Sequence, residues 1–175
     1  PNEELCRFIG RNYSNLSQDR IKNLTCLEIG CGSGSNLWML KEKGFKTIGL
    51  DLSSRSLELA KERLISRNLN NDVELIKGSM TNLPFVEKSI DIIVDVFSSN
   101  CLNSEDFEKS LLEIARVLNK GGKYFLYTPS KSSDAFLNHS PSVLLDSSTL
   151  DGIKRKTSPF TGNFYPFRFE HAEEL

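Results

Sequence analysis

With 175 residues, the chain is long enough to bury a sizeable apolar core and short enough to form one domain. Its 22 Lys and Arg balance 23 Asp and Glu, which leaves no electrostatic footprint for nucleic acid. No apolar run nears the roughly 20 residues of a bilayer span, no secretory leader is visible, and the four cysteines lack metal-type spacing.

In chain order, residues 4–8 read as a short helix covering a sheet. An apolar strand over 25–29 then runs into Leu27-Glu28-Ile29-Gly30-Cys31-Gly32-Ser33-Gly34. Glycines at a strand-to-helix turn let the chain take positive φ and let a ligand lie against bare backbone. The helix that follows begins near Ser35 or Asn36, carries Leu37, Trp38 and Leu40, and stops at Gly44. Its start offers unpaired N–H groups and a partial positive charge. A second strand, 47–50, ends on Asp51, placed to accept hydrogen bonds from ribose hydroxyls. These parts together describe a pocket for an adenosine-containing cofactor.

Asp51-Leu52-Ser53-Ser54 caps a second helix, in which Leu57, Ala60 and Leu64 keep helical spacing. A strand over 73–76 mixes polar and apolar residues and suits an edge. The run 90–94 is apolar throughout except Asp91, as in a buried parallel strand. A helix over 104–118 with acidic residues in its first turn ends at Lys120-Gly121-Gly122, and a fifth strand covers 123–128. Strands alternating with helices predict an α/β, doubly wound, mostly parallel sheet with helices on both faces.

Spacing narrows the cofactor. The dinucleotide fingerprint is G-x-G-x-x-G, with a helix N-terminus aimed at a pyrophosphate. Here the third glycine comes one residue early, Ser35 stands where that pattern wants Gly or Ala, and the Glu28 carboxylate suits a cationic ligand. Residues 27–34 fit hydrophobic-Asp/Glu-hydrophobic-Gly-x-Gly-x-Gly at each position, and on them the chain resembles the class I S-adenosylmethionine-dependent methyltransferases. Gly78-Ser79-Met80-Thr81-Asn82-Leu83-Pro84-Phe85, running into Ser89-Ile90-Asp91-Ile92-Ile93, is similar to that family's link between strands three and four. Arg116-Val117-Leu118-x-x-Gly121-Gly122 also looks like a family feature, so the resemblance covers residues 24–128.

The resemblance implies S-adenosylmethionine as cofactor, held by Glu28, Gly30, Cys31, Gly32, Gly34, Asp51, Leu52, Ser79, Met80 and Asp95. On that reading Asp51 grips the ribose, Glu28 stands near the sulfonium methionine, and Cys31 turns its backbone, not its thiol, to the cofactor. Ser79, where many relatives carry Asp, and Met80 sit beside the adenine. Asp95 borders the methionine and the reacting methyl. Plainer readings stand beside these: Asp51 as a helix N-cap, Glu28 as a buried carboxylate, Asp95 as a turn former.

The stretch 129–166 shows little periodicity and is expected as a lid-like or disordered loop over the substrate. His171 is a candidate general base for an acceptor hydroxyl, or else a surface histidine. Cys101 lacks the Pro-Cys context of cytosine-5 methyltransferases. Asp95-Val96-Phe97-Ser98-Ser99-Asn100 departs from the Asn/Asp-Pro-Pro-aromatic motif of enzymes that methylate base amines.

The expectation is therefore one Rossmann-like class I methyltransferase domain over 1–175, with a core at 24–128 and the last two strands of the fold missing. Strand five would then be an exposed edge open to a homodimer. The expected reaction is in-line methyl transfer to a small-molecule or sugar-like acceptor in the cytoplasm, without metal, nucleic acid or membrane. Alternatives are a tRNA or protein methyltransferase, a non-catalytic cofactor-binding module, and a nicotinamide-dependent oxidoreductase.

Overall fold

Short apolar runs bounded by polar turns pair as five strands in the computed structural model, which describes residues 1–171 and 173. Thr25–Ile29 (β1), Lys46–Asp51 (β2), Val73–Lys77 (β3), Ile90–Val96 (β4) and Leu118–Tyr127 (β5) form one sheet in the order β3-β2-β1-β4-β5. Every pairing is parallel. The order reverses between β1 and β4, whose pairing sets Glu28 beside Val94 and Ile29 beside Asp95. In open α/β sheets the ligand crevice lies at such a switch point, outside the carboxyl ends of the strands. Gly30 leaves β1 and Phe97 leaves β4 at that crevice.

Glu3–Tyr13 (α1), Gln18–Ile21 (α2) and Leu37–Glu42 (α3) cover one face, packing Leu5, Ile9, Ile21 and Leu40 against Cys26, Ile92 and Val94. Ser54–Ile65 (α4) extends that layer through Leu64, which packs with Leu37, Cys31 and Val73. Ser104–Val117 (α5) covers the opposite face, where Ile114 and Val117 meet Leu27, Ile29, Leu50 and Ile93.

Helix α1 runs eleven residues, past the expected 4–8, because Leu5, Ile9 and Tyr13 keep one buried stripe at intervals of four. Asn2 caps it by accepting from Leu5 N at 2.9 Å. Helix α2 has no counterpart among the predicted elements, since four residues are too few for a period to show. Strand β5 begins at Leu118 opposite Ile90, and a break in register carries it to Lys123 opposite Ile92. The two glycines expected to precede the strand thus lie within it.

Beyond β5, Asp134–Leu137 (α6) and the antiparallel pair Thr149–Leu150 (β6) and Phe167–Arg168 (β7) build a small cap. Ala135, Leu150, Ile153, Phe167 and Phe169 form its core. The stretch 129–166, expected as a lid-like or disordered loop, carries a helical turn, strand β6 and the cap-core residues Ala135, Leu150 and Ile153. Its core residues lie too far apart in sequence to show a period. Strand β7 packs on the 3-10 turn Ser99–Cys101 that follows β4, and Ser130 bridges Glu170. The cap thus rests at the carboxyl ends of β4 and β5. Among the described residues no helix is long and apolar enough to cross a membrane.

Candidate functional site

Gly30, Gly32 and Gly34 all take left-handed φ, at 60°, 53° and 72°. Their surroundings differ. A Cβ on Gly30 would run into Ser98, and one on Gly34 would come within 3.1 Å of Ala60 Cβ on α4. One on Gly32 would meet nothing within 4 Å. The outer glycines let the turn pack against its own protein, and the middle one leaves backbone open to a ligand. Between them Cys31 N donates to Leu50 O at 3.0 Å, and its side chain is buried with Leu37 and Leu64. Burial, reinforced by the Glu28 and Asp51 charges, pushes that thiol far above its ordinary range. Cys31 packs as a core residue.

Glu28, on β1, is 3% exposed. Its Oε1 accepts from Asn36 Nδ2 at 2.6 Å, and Asn36 Oδ1 in turn accepts from Asn2 N at 2.7 Å. Glu28 Oε2 is buried without a hydrogen-bond partner. Burial pushes the carboxyl up to about 8, because desolvation penalises the charged form. An unpartnered buried carboxylate oxygen beside a glycine turn suits a cationic group.

Asp51, at the end of β2, uses both oxygens to shape the turn. Oδ2 accepts from Gly32 N and Oδ1 from Ser53 N, each at 2.8 Å. The cap of α4 belongs to Ser53, whose Oγ accepts from Ser56 N at 3.2 Å. A carboxylate offers about four acceptor positions, so Asp51 is oriented by two amides and still has capacity for a diol.

Across the crevice, Asp95 is 0% exposed. Its Oδ1 accepts from Ser98 N and Ser99 N, each at 3.2 Å, and its Oδ2 from Tyr124 OH at 3.0 Å. Burial pushes this carboxyl up, against the pull of the Ser99, Tyr124 and Ser98 hydrogen bonds. Asp95, expected at the methionine, is thus hydrogen-bonded to the loop that follows β4 and is not among the residues that line the cavity at this crevice. Ser98 Oγ donates to Ile29 O at 3.0 Å and so ties this loop to β1. Further out, the Arg168 guanidinium lies 3.3 Å from the Phe107 ring centroid and pairs with Glu170, both side chains being 6% exposed. Burial lowers the Arg168 pKa to about 10, against the charges of Asp146, Tyr124 and Asp95.

A cavity of about 320 Å³ opens between these loops. Gly30, Asp51, Leu52 and Met80, four of the expected contacts, line it, joined by Leu50, Gly78, Phe97, Ser98, Cys101 and Leu102. A larger cleft of about 600 Å³ lies between α1, α2 and α3, around Ile9, Trp38 and Phe45. It holds none of the glycine turn or Asp51.

The remaining predicted residues sit elsewhere. Ser79 Oγ is 2.7 Å from Thr81 Oγ1 and accepts from Thr81 N at 3.2 Å, which ties it into its own turn. His171 follows Glu170 in the cap, and among the described residues none from the cap lines the cavity. Sequence reasoning passed over Phe97, Ser98 and Leu102 as contacts and Tyr124 as the partner of Asp95. For Phe97, Ser98 and Leu102 the one signal was position, in or beside a Ser- and Asn-rich run at the carboxyl end of a buried parallel strand; Tyr124, on β5, gave none.

A parallel sheet reversing at β1, a glycine turn after it and a carboxylate ending β2 define a Rossmann-like domain. The family model described as "Methyltransferase domain" matches residues 26–122, and the chain belongs to that family. The fatty-acid O-methyltransferase of Mycolicibacterium smegmatis is 33% identical over 132 residues, covering 74% of this chain and 46% of that protein. The sterol 4-C-methyltransferase strm-1 of Caenorhabditis elegans is 26% identical over 113 residues, covering 65% of this chain and 33% of that protein. The crystal structure of the PH0226 protein from Pyrococcus horikoshii OT3 matches with a TM-score of 0.57 and 26% identity, covering 75% of this chain and 57% of that one. The chain spans less than half the length of these two curated relatives.

Proposed function

We propose that this domain binds S-adenosylmethionine in the cavity at the β1–β4 switch and transfers its methyl group to a small, largely apolar acceptor beside the cap. The observation that carries the reading is the Asp51 carboxylate, held by Gly32 N and Ser53 N at the mouth of a glycine turn whose middle residue faces open space. Three features fit the cofactor. The buried Glu28 Oε2 has no partner and suits the cationic methionine end. Asp51 lines the cavity with acceptor positions for a ribose diol. Leu52, Met80 and Leu102 offer apolar walls for a purine.

When bound, S-adenosylmethionine supplies an electrophilic methyl group on a sulfonium. The chain's own task is then to orient donor and acceptor in line and to exclude water. Among the described residues, Asp51 and Cys101 are the titratable side chains that line the cavity. Burial, helped by the Asp95 charge, pushes the Cys101 thiol up. This supports catalysis by positioning, with proton removal needed only where the acceptor keeps its proton. The fatty-acid and sterol enzymes among the relatives support an apolar acceptor over the sugar-like one also expected.

Calorimetry tests the donor site directly. S-adenosylmethionine and S-adenosylhomocysteine are expected to bind saturably and NAD not at all; the reverse pattern would overturn the reading. Transfer of labelled methyl from S-adenosylmethionine into a fatty acid or a sterol tests the acceptor.

A further inference from the structure

We propose that Phe97 is the specificity-determining wall of the acceptor site, its ring packing against an apolar acceptor group between the donor cavity and the cap. The inference rests on the donor site described above and names the acceptor-side residue that nothing else assigns.

Phe97 has φ +53°, a left-handed conformation that is a genuine outlier for a bulky side chain. The fold holds it there from both sides. Phe97 N donates to Tyr127 O at 2.9 Å, extending the β4–β5 ladder by one bond. Immediately afterwards Asp95 Oδ1 takes the Ser98 and Ser99 amides. A glycine or asparagine would turn the chain at this point with less strain. Backbone strain that the surroundings over-determine concentrates at ligand sites, where it aims a side chain.

The ring's position shows what is aimed. It is 41% exposed, although an aromatic of this size gains most from burial. On one side it lines the cavity with Gly30, Met80, Cys101 and Leu102. On the other it meets Tyr127 edge-on at 5.1 Å between centroids and Phe160 of the cap at 6.0 Å. Phe160 continues to Phe167 at 5.3 Å, inside the cap core. Phe97 therefore stands where donor cavity and cap meet, and a molecule presented to the donor there lies against it. A phenyl face offers dispersion and water exclusion to an alkyl chain or flat ring, and no hydrogen-bond partner to a polyol.

The test uses protein saturated with S-adenosylhomocysteine and two probes, dodecanoate and 2-naphthol, titrated calorimetrically. Wild type is expected to bind at least one probe. Phe97→Gly, which relieves the strain, is expected to bind that probe at least about tenfold more weakly, the range of a lost apolar contact. Its S-adenosylhomocysteine affinity should fall by less than its probe affinity, because Phe97 is one of ten residues that line the donor cavity, and an unchanged far-ultraviolet circular dichroism spectrum reports that the variant is folded. Phe97→Leu should retain dodecanoate and lose 2-naphthol. Unchanged probe affinity in Phe97→Gly would overturn the proposal, as would a parallel loss of S-adenosylhomocysteine, which would move Phe97 to the donor site. Failure of both probes to bind wild type would overturn the apolar class. Failure of S-adenosylhomocysteine itself to bind wild type would overturn the donor site, and the proposal with it.

Discussion

Ser98 Oγ occupies the volume that a side chain at position 30 would need: a Cβ on Gly30 would lie 2.0 Å from it. Because Ser98 Oγ also donates to Ile29 O, the loop after β4 and the turn after β1 interlock across the switch point. Gly30 is thus required by the fold, and Gly32, which faces open space, is free for a ligand.

The two glycines should separate experimentally. Gly30→Ala is expected to cost about 2–4 kcal/mol of stability, from overpacking and the left-handed backbone together. Adding Ser98→Gly should return part of that. Gly32→Ala carries the backbone cost alone, about 1–2 kcal/mol, yet should abolish S-adenosylhomocysteine binding. Urea melts and titrations on the three variants check the pattern, and equal effects on both readouts would contradict it.

Asp51→Ala should weaken S-adenosylhomocysteine binding by about 1–3 kcal/mol, the cost of leaving polar groups without their charged acceptor. The variant also frees Gly32 N and Ser53 N, so a smaller loss of stability should accompany it. An unchanged dissociation constant would remove Asp51 from the site.

Glu28 makes stability and donor affinity depend on pH in opposite senses. Burial pushes its carboxyl up to about 8 from 4.5; Asp95 and Asp51 add to the rise, while Asn36 and the Pro1 amino group oppose it. With the folded pKa above the unfolded one, the folded state holds the extra proton between those values. The stabilisation is complete below about pH 4.5 and is lost as pH rises through about 8. Glu28→Gln, which cannot ionise, should therefore gain on wild type between about pH 5 and 8.5, by at most about 1.4 kcal/mol per pH unit. A constant gap between paired urea melts would refute this. A cationic donor beside Glu28 favours its ionised form, so S-adenosylmethionine affinity should rise with pH and level off near 8. Calorimetry in buffers of different ionisation enthalpy counts the released proton.

Arg168 and Glu170 form a buried pair in the cap. Removing one partner strands the other charge, so Arg168→Met should cost about 3–5 kcal/mol. Replacing both, with Met at 168 and Leu at 170, should recover most of that loss, because an apolar pair needs no desolvation of charge. Additive losses in the double-mutant cycle would show that the two side chains act separately.

Much of the glycine turn and its carboxylate was legible because these residues are close in sequence. Residues 27–34 and Asp51 announce a strand, a glycine turn and a carboxylate within a single β-α-β unit, and the structure joins Asp51 to Gly32 directly. The same local logic could not tell that Gly30 serves Ser98 while Gly32 faces open space. Those partners lie on different strands, and spacing carries no record of which neighbour arrives from across the sheet.

The cap and the β4 loop show that limit most clearly. The family resemblance puts Asp95 at the methionine, and the hydrogen bonds it makes to Tyr124, 29 residues away, and to Ser98 and Ser99 could not be read from the sequence. Leu150, Phe160, Phe167 and Phe169 have no shared period, yet they close one core. Hydrophobic pattern and turn chemistry act over a few residues and therefore set the strands, the helices and the glycine turn. Where each side chain points, and which charge is buried beside which, depends on contacts between distant segments, and those exist only once the sheet has assembled.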